Sequence, residues 1–224
     1  MRLFLLALLA SFMFAPIQAS TLNGPFPESE PPDIFGACAG CTQLAYVSNP
    51  NVTDSNGTFT ATLNAAVYLD PSNTFCAGCL DFVYQVSNSG GSTDDIGRVT
   101  AFNFTGFMVD AGFSVAGEPA GGGTAFPTGT WAPGLVDRNT ADTVGFLFAD
   151  VATPIPAGGT SAVLVIETNA TSFTAGSASA LDGGTANFNA FEPTSARTPE
   201  PASALMLGLG MVALAGLRRF RSQR

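Results

Sequence analysis

The sequence contains no histidine and no lysine, and only 11% of its 224 residues are charged. Without histidine, Ser-His-Asp and Cys-His nucleophiles, imidazole general bases and the usual zinc hydrolase sites are all excluded. Every basic residue is an arginine, and the arginines gather at the ends: Arg2 opens the chain, and Arg218, Arg219, Arg221 and Arg224 close it. Between Ser20 and Thr198, sixteen Asp and Glu face three Arg (Arg98, Arg138, Arg197), a net charge of −13. So acidic a surface repels phosphate backbones, and no nucleic-acid partner is expected. Tryptophan occurs once, as Trp131, and no sustained helical period is present between the two ends.

The ends themselves are apolar. Met1–Ala19 reads as a secretory signal peptide: Arg2, an apolar run from Leu3 to Phe14, then Ala15-Pro16-Ile17-Gln18-Ala19 before a cut ahead of Ser20. As a helix that run rises about 18 Å, short of a ~30 Å hydrocarbon core, which argues against an uncut anchor. At the other end, Pro199-Glu200-Pro201 precedes the apolar run Ala202–Leu217, followed by Arg218-Arg219-Phe220-Arg221-Ser222-Gln223-Arg224. This second run gives about 24 Å of helix, a workable transmembrane span if the flanking residues snorkel. The basic flank stays cytoplasmic and leaves Ser20–Thr198 outside. Proline at 199 and 201 keeps the approach to the membrane extended, as a processing protease requires.

The three-part tail Pro199–Arg224 resembles the PEP-CTERM sorting signal of Gram-negative bacteria with exopolysaccharide-linked export. The resemblance implies that an exosortase, an integral-membrane cysteine protease, recognises Pro199, Glu200 and Pro201, cleaves near them and releases or transfers the protein to the exterior. None of these three is catalytic. The implied partners are that exosortase-type protease, the secretion translocon and, outside the cell, polysaccharide of the matrix.

The middle of the chain reads as strands between turns. Thr58–Leu69 alternates cleanly, with Phe59, Ala61, Leu63, Ala65, Val67 and Leu69 on one face and threonines and Asn64 on the other. Gln43–Ser48, Leu80–Val86, Arg98–Val109, Val144–Phe148, Ala162–Thr168 and Ala186–Phe191 continue the pattern, with Gly106 expected to mark a bulge or bend. The expected fold is all-β, an antiparallel β-sandwich of jelly-roll or immunoglobulin-like type whose nineteen Phe supply the core. Signal and transmembrane helices flank it. The expected boundaries are signal peptide 1–19, flexible lead-in 20–34, β-domain 35–191, stalk 192–198 and sorting signal 199–224.

Cys38-Ala39-Gly40-Cys41 and Cys76-Ala77-Gly78-Cys79 are identical tetrads. Structural zinc, a redox dithiol and structural disulfides are the three states open to them. Export to an oxidising space favours disulfides, and the thirty-four-residue gap is wider than a zinc ribbon's. Cross-linking the tetrads is the preferred pairing, because it closes a loop of about 35–40 residues worth roughly 3–4 kcal/mol. Asp94-Asp95, Asp137, Asp142, Asp150 and Asp182 fall near turns, where their side chains serve the local backbone, and no EF-hand-like run exists. No metal, cofactor or catalytic residue is therefore assigned. Trp131 with Tyr46, Tyr68 and Tyr84 could form a sugar-stacking platform, although core packing is the simpler role for a lone Trp. The expected function is that of a non-enzymatic structural protein of the surface or matrix. A carbohydrate-binding adhesin is the alternative, and a secreted hydrolase running on two carboxylates is the third reading.

Overall fold

The computed structural model describes residues 21–24, 27–36, 38–114, 126–140, 142–149 and 153–196. The signal peptide and the tail with Pro199, Glu200 and Pro201 lie outside the described residues. Among the described residues there are twelve strands and no helix. They are β1 (Glu28–Glu30), β2 (Asp33–Ile34), β3 (Thr42–Thr53), β4 (Thr60–Asp70), β5 (Cys79–Asn88), β6 (Arg98–Ala101), β7 (Val109–Ser114), β8 (Leu135–Arg138), β9 (Val144–Leu147), β10 (Val163–Thr168), β11 (Ala170–Asp182) and β12 (Gly184–Ala196).

These strands form two six-stranded sheets, ordered β1-β8-β9-β6-β11-β12 and β2-β7-β10-β5-β4-β3. All pairs are antiparallel except β2–β7, which is parallel. The apolar sides of both sheets contribute to one continuous cluster. Leu63, Val67, Phe82, Tyr84, Val109 and Leu164 come from the second sheet; Val99, Val136, Phe146, Ala178 and Phe188 come from the first. Large rings such as Phe59, Phe82, Phe104, Phe146 and Phe148 are set among alanines such as Ala61, Ala65, Ala178 and Ala180, an alternation of sizes that suits close packing between sheets. One edge is closed by side chains: Asn49 Nδ2 donates to the Asn189 carbonyl at 2.8 Å, and Asn189 N donates back to Asn49 Oδ1 at 3.1 Å.

Several expectations are revised. The lead-in at 20–34 is not a free tether: Leu22 is fully buried in the core, and β1 and β2 add an edge strand to each sheet. Proline flanks these short strands at Pro31 and Pro32, and edge strands are where its missing N–H is tolerated. The stalk at 192–198 begins as sheet, because β12 runs to Ala196 and carries Pro193 on an outer edge. Arg98–Val109 is not one strand: β6 ends at Ala101 and β7, in the other sheet, begins at Val109, with Asn103 and Gly106 both at positive φ in the turn between them. β8 and β11 had no counterpart in the expected strands. In β11, Ala178 and Ala180 point to the core while Ser177 stays polar, an alternation too small in side-chain size to stand out.

Candidate functional site

The second sheet is covered on its outer side as well. Cys41, Ala66, Tyr68, Val83, Phe126, Val163 and Val165 form a separate apolar cluster there, with Phe35 and Cys38 packed against it. Beside that cluster opens a cleft of about 280 Å³, lined among others by Cys38, Cys41, Tyr68, Asp70, Asp81 and Glu167.

The register explains why so many acids meet here. Asp110 on β7 is directly opposite Glu167 on β10; Glu167 is directly opposite Asp81 on β5; Asp81 is directly opposite Tyr68 on β4. Directly paired residues share a face, so three carboxylates stand in one row across three adjacent strands. Asp70, two residues beyond Tyr68, shares that face. All four acids are buried, with Asp110 at 0% exposure. Both described arginines with assigned partners, Arg98 and Arg138, lie on the other sheet.

The loop between β4 and β5 folds over the row and anchors three of its members. Ser72 donates to Asp70 Oδ1 from its backbone N and its Oγ, both at 2.7 Å. Asn73 Nδ2 donates to Asp81 Oδ1 at 2.8 Å, and Thr74 N donates to Glu167 Oε2 at 2.8 Å. Neither oxygen of Asp110 meets a donor in hydrogen-bonding geometry, although Asp33 and Thr74 lie near enough to act on it. Burial pushes Asp110 up to about 8, helped by the charges of Asp33 and Glu167. Burial likewise lifts Asp81 well above the usual carboxylate range, with Glu167 and Asp70 adding to it. Glu167 is raised by burial against the opposing pull of Thr74.

The Cys38–Cys41 disulfide lines this cleft, and both disulfides correct the expected pairing. Cys38 is bonded to Cys41 and Cys76 to Cys79, each within its own tetrad, with Cα–Cα separations of 5.7 and 5.3 Å. Gly40 and Gly78 both hold positive φ, +84° and +79°. That left-handed residue bends each Cys-Ala-Gly-Cys into a turn that brings its own two thiols together. With all four cysteines oxidised, no Zn(Cys)4 cluster forms. Four-residue loops of this kind are worth about 2 kcal/mol each in the chain-entropy estimate, less than the cross-link expected from sequence. Cys38 and Cys41 come to lie beside the carboxylates, and ligand atoms of Cys38, Cys41, Asp70 and Asp81 fall within 4.8 Å of one another.

The acids singled out from sequence are elsewhere. Asp137 makes a bidentate pair with Arg98 at 2.6 Å, Asp142 accepts from Thr105, and Asp94 and Asp95 sit near Asp182; Asp150 lies outside the described residues. The aromatic platform is not assembled. Tyr84 belongs to the core, Tyr68 to the outer cluster, Tyr46 rests edge-on against Phe126, and Trp131 is half-buried against the core. Asp70, Asp81, Asp110 and Glu167 were missed as a group. The strand alternation that placed Asp81 opposite the core side was the one signal available. Comparison with family models, curated proteins and solved structures finds no match to this chain.

Proposed function

We propose that this chain is an exported, non-enzymatic β-sandwich protein that an exosortase-type membrane protease sorts to the cell surface or exopolysaccharide matrix. The two sheets around one shared core are read as the sandwich, of jelly-roll or immunoglobulin-like type. The observation that carries the export reading is the oxidation of both tetrads, Cys38–Cys41 and Cys76–Cys79, in a chain whose ends read as a signal peptide and a sorting tail. Disulfides persist in oxidising compartments and are rare in the cytosol. The translocon carries Ser20 onward across the inner membrane; the apolar run 202–217 holds the chain there until cleavage near Pro199-Glu200-Pro201.

The test is to express the full chain in a Gram-negative host with an exosortase and in the same host without it, and to determine intact mass and cell fraction. The expected product begins at Ser20, ends near Pro201 and carries two disulfides, while a triple alanine variant at 199–201 stays in the membrane fraction. An uncleaved chain in the cytosol with reduced thiols overturns the reading.

The acid-lined cleft is the one observation that favours a hydrolase instead. Its carboxylates rise from a single row on one sheet, however, whereas glycoside hydrolysis needs two flanking the bond, about 5–10 Å apart. Polysaccharide hydrolysis that disappears in Glu167→Gln would establish the enzyme.

A further inference from the structure

We propose that the cleft lined by Cys38 and Cys41 is a thiol–disulfide exchange site, which takes a small aminothiol into a mixed disulfide on Cys38. This goes beyond the export reading and does not rest on it. The two cysteines are unequally placed. Cys41 is 1% exposed within the outer apolar cluster, Cys38 is half-buried at its edge, and both line the cleft. A thiolate attacks the disulfide sulfur that it can reach, so Cys38 receives it and Cys41 leaves. The cleft, at about 280 Å³, is of a size for a small organic thiol. The second tetrad supplies an internal contrast. Cys76–Cys79 has the same sequence, a left-handed Gly78 and the same order of half-buried and buried cysteines. Among the described residues, neither Cys76 nor Cys79 lines the cleft.

What sets Cys38–Cys41 apart is the carboxyl pair beside it. One oxygen of Asp70 and one of Asp81 lie within 4.8 Å of both sulfurs and of each other, the reach of a proton passed directly or through one water. In the exchange, the entering thiolate bonds to Cys38 Sγ, the Cys38–Cys41 bond breaks, and its electron pair goes to Cys41 Sγ. A thiolate left among apolar groups is disfavoured, so the leaving sulfur needs a proton. Asp81 is the acid placed to give it. Burial raises its carboxyl well above the usual range, with the charges of Glu167 and Asp70 adding to this. Asn73 donates to Oδ1, so the proton is carried on Oδ2. The products are a mixed disulfide on Cys38, a thiol at Cys41 and a carboxylate at Asp81. One disulfide replaces another, and no outside oxidant is required. The same carboxylates hold the ammonium of an aminothiol close to the sulfurs and repel a thiol that carries its own carboxylate.

The experiment uses the full chain in detergent with both disulfides intact. It is exposed to cysteamine or to mercaptoacetate at equal thiolate concentration, quenched at intervals with iodoacetamide and mapped by peptide mass. Cysteamine is expected on Cys38 with the alkyl group on Cys41, and Cys38–Cys41 should open at least tenfold faster than Cys76–Cys79 in the same molecules. Mercaptoacetate should be at least tenfold slower than cysteamine at Cys38–Cys41 and show no such gap at Cys76–Cys79. Asp81→Asn should slow the opening of Cys38–Cys41 about tenfold and leave Cys76–Cys79 unchanged, and Asp142→Asn, on the other sheet, should alter neither. The sign separates a proton donor from a structural prop, because a variant that merely loosened the turn would open it faster. Equal rates for the two disulfides of the unaltered chain overturn the proposal without any variant. So do adducts that form on Cys41, a rate indifferent to the charge of the thiol, or an Asp81→Asn chain that exchanges as fast as the parent or faster.

Discussion

Arg98 and Arg138 on one sheet, and Asp81, Asp110 and Glu167 on the other, are ionisable groups with opposite provision around them. Arg98 is met by both oxygens of Asp137 at 2.6 Å and by Thr100 Oγ1 at 2.9 Å. Gly145 lies against that pair, and a Cβ there would collide with the guanidinium. Arg138, almost fully buried, donates to the carbonyls of Leu22, Phe107 and Phe104 at 3.0, 3.2 and 2.7 Å, with Glu28 and Asp142 close by. Burial lowers its affinity for the proton, and those two acids oppose the change. On the second sheet the donors to Asp70, Asp81 and Glu167 come from one loop, and Asp110 has only Asp33 and Thr74 nearby, neither in good hydrogen-bonding geometry. On the first sheet charge is therefore part of the frame. On the second it is an unspent capacity, which a proton can meet.

The largest effect should come from breaking the frame. Arg138→Met takes the side-chain donor from the carbonyls of Leu22, Phe107 and Phe104, the last keeping only Phe107 N, and unfastens the segment before β1 from the core. The expected loss is about 3–5 kcal/mol in chemical denaturation, the scale of removing one partner from a buried charged network. A loss under 1 kcal/mol would mean that the carbonyls find water and that the two sheets do not differ in this way.

A pH titration of stability sharpens the contrast next. Asp110 is held near 8 and Asp81 and Glu167 are raised, all above their unfolded values, so the native state binds more protons than the unfolded chain. Stability from these groups is complete below about pH 4 and is lost as pH rises toward 8, by on the order of 2–3 kcal/mol. Asp54 works in the other direction. Burial pushes its carboxyl up, but the backbone N–H groups of Phe59, Asn56 and Thr58 outweigh it and hold the group below the usual range, so its contribution is lost as pH falls. Denaturation midpoints that rise steadily from pH 5 to pH 8 would contradict the assignment of the acid row.

Alternation made β4 and β5 legible, because Phe59, Leu63 and Val67 in one, and Leu80, Phe82, Tyr84 and Val86 in the other, set large apolar groups along one face. β11 escaped because its inward groups are alanines, and β1 and β2 escaped because proline reads as linker even where it borders an edge strand. The tetrads announced disulfides, but their pairing depended on the turn that Gly40 and Gly78 adopt, which spacing does not reveal. The acid row was least legible. Asp81, Asp110 and Glu167 are tens of residues apart and meet only through the register β5-β10-β7. Nothing local in the sequence sets that register, nor the covering of the outer face that turns ordinary outward acids into buried ones.

The same conservative change should have opposite signs on the two sheets. Asp137→Asn removes a charge from the Arg98 pair, which is partly exposed, and should cost about 1 kcal/mol. Asp81→Asn removes a charge from a row that contains Glu167 and Asp70, while its amide oxygen can still accept from Asn73. At pH 8 it should therefore stabilise, by about 1–2 kcal/mol. Urea denaturation of both variants and of the double mutant checks this, since sites on separate sheets should combine additively. If both single changes destabilise alike, then Asp81 is held by donors as Asp137 is, and the acid row would be part of the frame after all.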